Sequence, residues 1–434
     1  MDTLQLSDGR LFLMRPRLGK IYLNPKAFKK MKRLRILIVT EGDFSCSPDH
    51  LPSELRWLEW HRYPSSSLPS NFSPSNLVAL ILPCSGITKL WDGYKMGSNL
   101  TTINISRCSS LCEVPDFSGM PKFKELIAHR CTSLVKVHKS IGYLAKLVHL
   151  NFQDCSNLAE LRNKLRLPSL RQLVLSGCER LDKFPDILGR MEHIEAIDLS
   201  WTSVKQLPPS IKSLTEVQSL CFAFCRNLEA LPTSIYHFQN LKHLNISHCK
   251  RHIGFLGKGE NRSQQKPGLN SHETPIYFPN TVQLDLSENS LTALLPCISK
   301  FCDLKTPFSD KSKQLKDIPE LPPNLTYLSG KDCESLEMVQ TVSLQVARTI
   351  KINFSNSHKL GQIKLQVCCC RIGKGPSNQD EVVSLGQVIL SQHTFTTCIC
   401  VGSSTHMKTL SSVITAPGCL YSNPIRTRPK SASL

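Results

Sequence analysis

The first thirty residues contain no uninterrupted apolar stretch, because Asp2, Asp8, Arg10, Arg15, Arg17 and Lys20 break it up. A secretory leader is therefore not expected. No later window has the length and apolarity of a transmembrane helix. The signatures of common enzyme classes are missing as well: there is no GxxxxGK(S/T) phosphate loop, no GxGxxG after a strand, no GxSxG elbow and no HExxH. Gly373-Lys-Gly-Pro376 lacks both the spacing and the following helix of a phosphate loop. Acidic residues are few, 34 against 53 lysines and arginines, a net charge of +19. That balance raises nucleic acid, anionic membrane or an acidic protein surface as partners.

These absences suggest a reducing, intracellular compartment in which the nineteen cysteines are thiols rather than disulfides. Sequons such as Asn71, Asn104 and Asn245 would then be idle. The basic excess is spread along the chain, with one denser stretch, Lys26-Ala-Phe-Lys-Lys-Met-Lys-Arg-Leu-Arg35. It could be a nuclear-localisation or phosphate-binding patch. Phe28, Met31 and Leu34 recur every three residues, however, which favours the basic face of a capping helix.

What the chain does have is a repeat of the form LxxLxLxxC. Units begin at Leu77, Leu100, Phe123, Leu147, Leu170, Ile194, Val217 and Leu241, at steps of 23 or 24 residues. Weaker units precede them at Leu34 and Leu55 and follow at Thr281, Leu304 and Leu325. Alternation of apolar and outward residues within the unit predicts a short strand. The remaining residues must return the chain to the next strand, and they carry a second pattern, Leu207-Pro-Pro-Ser-Ile-Lys-Ser-Leu214 and Val137-His-Lys-Ser-Ile-Gly-Tyr-Leu144. There serine is expected to cap a short helical turn. A return segment bulkier than a strand curves the stack with its sheet on the concave side. The fold class is α/β: a leucine-rich-repeat solenoid with a curved parallel sheet and short helical or irregular convex segments, followed by a small β-rich domain read as incomplete.

The expected organisation is a lead-in or cap at 1–33, a repeat array at 34–343 with an inserted polar loop at 250–280, and a post-repeat domain at 344–434. The last is read as truncated or degenerate, with a disordered basic tail.

Cysteine recurs at one repeat phase, at Cys108, Cys131, Cys155, Cys178, Cys225, Cys249 and Cys333, with Thr202 and Asn289 standing in for it. A small side chain turned inward to bond adjacent backbone fits all of them. Zinc would need four ligands converging on one point, whereas successive rungs keep these thiols in line. His243, His248, Cys249 and His252 lie close in sequence but fall on diverging phases. Cys368-Cys-Cys370 with Cys398 and Cys400 lacks the CxxC pairs of a zinc knuckle. No metal, cofactor, catalytic residue or small-molecule substrate is expected.

Attention therefore moves to the concave side. Partner-binding candidates are Trp57, His61, Arg62, Arg107, His129, Arg130, Gln153, Trp201, Phe224 and His248. Asn104, Asn151, Asp198, Asn245 and Asp285 are also expected to face outward there. Trp201 and Phe224 share a phase in adjacent units, and neighbouring exposed aromatics resemble a binding hot spot.

Several segments carry a family resemblance. Glu54-Leu-Arg-Trp-Leu-Glu-Trp-His-Arg-Tyr-Pro64, Asn76-Leu-Val-Ala-Leu-Ile-Leu-Pro83, Ile87-Thr-Lys-Leu-Trp-Asp-Gly93 and Leu199-Ser-Trp-Thr-Ser-Val-Lys-Gln-Leu-Pro208 resemble repeats of plant intracellular immune receptors of the TIR, nucleotide-binding, leucine-rich-repeat type. Ile350-Lys-Ile-Asn-Phe-Ser-Asn-Ser-His-Lys-Leu360 is similar to the start of their post-repeat domain, and Pro417-Gly418 falls where its Pro-Gly turn would. The resemblance implies a recognition and autoinhibitory module that contacts a pathogen effector or a guarded host protein and, in a full receptor, the nucleotide-binding domain. It implies the cytoplasm, with the nucleus as a second location, and no membrane association. The TIR and nucleotide-binding parts are absent from the sequence, so the chain itself is not expected to cleave NAD or to signal. The alternatives are a receptor fragment, an adaptor or decoy without signalling, or a basic nucleic-acid binder, the last being the weaker reading.

Overall fold

The structure, a computed structural model, describes residues 23–40, 42–161, 164–232, 235, 238–249, 280–294, 296–345 and 349–369, with the segments 5–7, 9–13, 20–21, 381–388, 396–401 and 410–414. The chain divides into two compact units, Met1–Asn227 with Pro232–Ile235, and Leu228–Leu231 with Tyr236–Leu434.

In the first unit every LxxLxL run becomes a strand of three or four residues, paired in parallel with the next. The ladder runs Arg10–Leu13, Ile36–Val39, Trp57–Trp60, Ala79–Ile81, Thr102–Asn104, Glu125–Ile127, His149–Asn151, Gln172–Val174, Ala196–Asp198 and Ser219–Cys221. Register is constant: Leu80, Ile103, Leu126, Leu150, Leu173, Ile197 and Leu220 are successive partners. All are buried. A one-residue slip would turn this row to solvent, and that cost is what holds the register. Fully burying such a side chain stabilises by about 1.5–3 kcal/mol. A single rung cannot offset the ordering of its own backbone, at about 1–2 kcal/mol per residue, so rungs are stable only as a stack. The Arg10–Leu13 rung lies within the segment read as a lead-in, where no LxxLxL run announces it.

Return segments are turns and 3-10 helices, at Ala27–Lys30, Lys139–Tyr143 and Pro209–Ser213, and no α-helix occurs among the described residues. The Lys26–Arg35 segment thus forms one short turn, with Phe28 and Leu34 buried and its lysines exposed. The serines do not cap these turns as expected. The cap positions belong to His138 and Pro208. Ser140 and Ser210 instead accept hydrogen bonds from Phe117 N (2.9 Å) and Ile187 N (3.0 Å) of the preceding rung. A proline at the cap has fixed backbone and no side-chain acceptor, which frees the serine to join rungs. Short parallel pairs, Glu113–Val114 with Lys136–Val137 and Lys164–Leu165 with Asp186–Ile187, stitch the backs of the rungs. Trp60 sits edge-on to Phe28, Phe44 and Tyr63 at 5.1–6.0 Å.

The second unit repeats the plan with His243–Asn245, Gln283–Asp285, Thr306–Phe308, Tyr327–Ser329 and Thr349–Asn353 in parallel. The 40-residue step is taken in a single rung, Leu244 pairing with Leu284. Residues 250–279 of the expected inserted loop lie outside the described residues. The expected boundary after 343 falls inside the strand Met338–Gln345, which pairs in parallel with Asp317–Ile318 and Gln362–Cys369. Two antiparallel extensions follow: Glu381–Val388 on Gln362–Cys369, and Thr396–Val401 then Leu410–Ile414 on Thr349–Asn353. The side chains of Cys368, Cys369, Cys398 and Cys400, and all of Cys370, lie outside the described residues. No helix among the described residues is long and apolar enough to cross a membrane.

The repeating thiols are buried, and their Sγ atoms donate to the carbonyl of the preceding rung. Cys108 reaches Leu82 O, Cys131 Ile105 O, Cys155 Ala128 O, Cys178 Phe152 O, Cys225 Leu199 O and Cys333 Ser309 O, all at 3.0–3.2 Å. Asn289 Nδ2 makes the equivalent bond to Ile246 O at 2.9 Å, while Thr202 Oγ1 turns to Leu199 O of its own rung at 2.7 Å. Tyr63, Ser85, Ser312 and Ser357 occupy the same phase, which the cysteine pattern alone does not pick out.

Burial pushes the thiols of Cys108 and Cys178 up to about 12 and those of Cys225 and Cys333 up to about 11. Their folded values exceed the unfolded one, so their contribution to stability is intact below pH 9 and is lost as pH rises toward 12. Denaturant midpoints are expected to fall steadily between pH 9 and 11; a flat profile would contradict the buried placement. At pH 8 iodoacetamide should label the exposed Cys84, Cys112 and Cys302 and reach the buried row only after unfolding. Cys155→Ala leaves Ala128 O without its donor and should cost about 1–3 kcal/mol in equilibrium unfolding.

Candidate protein-interaction surface

From the strand Trp57–Trp60 onward, one residue past the strand adopts the left-handed conformation just before the inward ladder residue. In the first unit these are Arg62, Cys84, Arg107, Arg130, Asp154, Gly177, Trp201 and Phe224; in the second they are His248, Glu288, Lys311, Asp332 and Asn356. All have φ between 55° and 75°. For a residue with a Cβ this costs about 1–2 kcal/mol. The conformation persists because the same residue's N–H is aimed at the next rung: Arg107 N donates to His129 O at 2.7 Å, Arg130 N to Gln153 O at 2.7 Å, Asp154 N to Ser176 O at 2.7 Å and Trp201 N to Ala223 O at 2.8 Å. The reversal sends the following residue into the core and the left-handed side chain outward. Each unit therefore carries a column of outward side chains along its strand ends.

Six of the predicted partner-binding residues, Arg62, Arg107, Arg130, Trp201, Phe224 and His248, stand on these columns. His129 and Gln153 precede column residues by one position. Trp57 lies on a strand, 36% exposed, and donates through Nε1 to Glu59 Oε2 at 3.3 Å; Glu59 Oε1 also meets His61 Nε2 at 3.0 Å. Asn104, Asn151, Asp198, Asn245 and Asp285 are half-exposed at their strand ends, on the outward phase. Their Oδ1 atoms also accept from the backbone N–H two residues on, at 2.9–3.0 Å, closing the strand-end turn.

Trp201 and Phe224 stack face to face, with ring centres 4.0 Å apart and planes 8° from parallel. Trp201 remains 45% exposed, and the Arg226 guanidinium carbon stands 6.0 Å from its ring centre. Two stacked aromatics, one of them exposed, form the kind of surface patch that interface hot spots are made of. Elsewhere the columns are charged. Arg130 Nε meets Asp154 Oδ2 at 3.2 Å, and in the second unit Glu288 bridges His248 at 2.9 Å and Lys311 at 2.8 Å. The hydrogen bond from Lys311 leads the influences that hold the Glu288 carboxyl below the usual carboxylate range. His129 is held below the ordinary imidazole value, first by partial burial and then by Arg107 and Arg130.

One grouping has the composition of a hydrolase triad. His138 Nδ1 lies 3.4 Å from Asp116 Oδ1 and 3.0 Å from Ser140 Oγ, beside a surface cleft of about 590 Å³. A relay needs the two ring nitrogens to serve different partners. Here one nitrogen serves both, and Ser140 Oγ is engaged by Phe117 N. His243 Nδ1 meets Gln283 Oε1 at 2.9 Å, Cys249 is buried, and His252 lies outside the described residues. No cluster of metal-ligand type occurs among the described residues.

The column's phase was legible in the sequence, and its backbone conformation is hinted at by four of its residues. Gly177, Asp154, Asp332 and Asn356 share its phase, and glycine, aspartate and asparagine are the residues that tolerate the left-handed region best. Asparagine at Trp201 or Phe224 should therefore leave the unfolding free energy within about 1 kcal/mol of the parent chain, since relief of strain offsets the lost stack. A larger loss in a denaturant titration would make the pair a structural element.

Comparison with known proteins agrees with this architecture. Residues 166–368 match the family model described as "Disease resistance protein RPS4B-like, leucine-rich repeats", and residues 76–95 match a leucine-rich-repeat model. The chain is 31% identical over 363 residues to disease resistance protein RPS4B of Arabidopsis thaliana, covering 78% of this chain and 28% of that protein. It is 30% identical over 425 residues to the disease resistance-like protein DSC1 of the same plant, covering 81% and 35%. Identity to disease resistance protein RPS4 is 34% over 321 residues, covering 71% and 25%. The chain thus spans 25–35% of the length of these relatives. With its rungs, its left-handed strand ends and these likenesses, the chain belongs to the leucine-rich-repeat family of plant disease resistance proteins.

Proposed function

We propose that this chain is the recognition module of a plant intracellular innate immune receptor, acting in the cytoplasm. It binds a pathogen effector or a guarded host protein through the strand-end column and, within a complete receptor, rests against the nucleotide-binding domain to hold signalling off. The repeat family supports protein binding as the mode of action, and the observation that carries the assignment is the exposed Trp201 ring stacked on the half-buried Phe224. Such aromatic surface, flanked by arginine, is what interface hot spots are made of. The role is binding without chemistry on the partner.

The test is quantitative capture from infected leaf extract on the immobilised chain, with a Trp201→Ala/Phe224→Ala double variant alongside. Specific partners should fall at least tenfold on the variant, as loss of about 1.4 kcal/mol or more implies. Equal recovery of the same proteins on both would remove the aromatic pair from the interface. Steep, salt-dependent capture of arbitrary DNA instead would favour the nucleic-acid reading.

A further inference from the structure

The first unit's column carries a finer message about what binds it. Phe224 covers one face of Trp201 at 4.0 Å. The column residue on the other side is Gly177, at φ 75°, which has no side chain to cover the second face. A Cβ built there would stand 2.5 Å from Asp154 Oδ1, so the Asp154 carboxylate borders this slot and would have to move aside for a side chain. Next come Asp154, Arg130 and Arg107. Arg130 meets Asp154 through Nε, and its terminal nitrogens have no partner among the described residues. Arg107, also exposed, has no ion-pair partner among them. His129 is held below the ordinary imidazole value by partial burial first, with Arg107 and Arg130 adding to it.

We propose that the column binds an extended peptide lying across the rungs, with an aromatic side chain set over Gly177 against the open face of Trp201 and a carboxylate at Arg130 or Arg107. This rests on reading the surface as protein-binding. Rungs are about 4.8 Å apart, so the slot lies roughly 10 Å from Arg130 and roughly 14 Å from Arg107. A polyproline-type chain returns to the same face every three residues, about 9.3 Å, and a β-strand does so at four, about 13.4 Å. The aromatic and acidic residues of the peptide are therefore three or four positions apart. Asp154 at the slot's edge is already paired with Arg130, so an arginine in the slot would add a cation beside Arg130, Arg107 and Arg226, whereas an aromatic ring meets no like charge. A nucleic-acid base stacked on Trp201 would carry its own phosphate toward Asp154, where the neutral peptide backbone meets no repulsion.

The experiment is a display selection of random twelve-residue peptides on the full chain, read by sequencing. It is repeated on Trp201→Ala, on Arg107→Glu/Arg130→Glu, and on Gly177→Asn, which fills the slot with a residue that tolerates φ > 0. Circular dichroism confirms that each variant is folded. Enrichment of an aromatic residue three or four positions from Asp or Glu is expected, falling at least tenfold on the first two variants and on any folded slot variant. Binders insensitive to all three changes, or no binders, would overturn the proposal while leaving protein capture by another surface intact. Binders lost with Trp201→Ala but showing no aromatic–acidic spacing would overturn the peptide chemistry and keep the surface. A fluorescent oligothymidine that binds where no peptide does would overturn both.

Discussion

Everything in this molecule depends on one strand-end turn, repeated. A left-handed residue points its N–H at the next rung, and its successor drops into the core to return a hydrogen bond to the rung before. Two neighbours in sequence thus tie a rung to both of its flanks. Without the reversal the inward residue would point to solvent, and buried carbonyls such as Ala128 O and Phe152 O would lose their donors. The cost of the left-handed conformation is met by bonds made only within a stack, which gives the array its nearest-neighbour cooperativity.

The same turn generates the surface. A residue placed at its apex has an outward side chain whose identity the core does not constrain, so arginine, tryptophan, phenylalanine, histidine and glutamate all occur there. Rungs fix the spacing of this row, and substitution changes what it displays without disturbing what lies beneath. The buried row and the outward row are separated by one residue and one backbone sign.

Much of this was readable in order along the chain. The LxxLxL period specified parallel strands in constant register, and recurrence of cysteine at one phase marked an inward position. The predicted Trp201 and Phe224 pair is adjacent because equal phase in adjacent units means adjacency in space. Other readings failed where a local rule met a neighbouring rung. Ser140 and Ser210 look like helix caps by position but serve the rung before them. The Arg10–Leu13 rung escaped notice because its pairing, rather than its pattern, makes it part of the stack.

Sequence by itself determined the repeat length, the strand positions, the buried row and the phase at which side chains emerge, because each follows from periodicity in a chain that must hide leucine. Tertiary structure alone decided the sign of φ at that phase and with it the direction of Trp201, the bare face over Gly177 and the pairing of Arg130 with Asp154. These depend on hydrogen bonds between residues more than twenty positions apart, and the conformation of a non-glycine residue at positive φ is set by such partners rather than by its own preference.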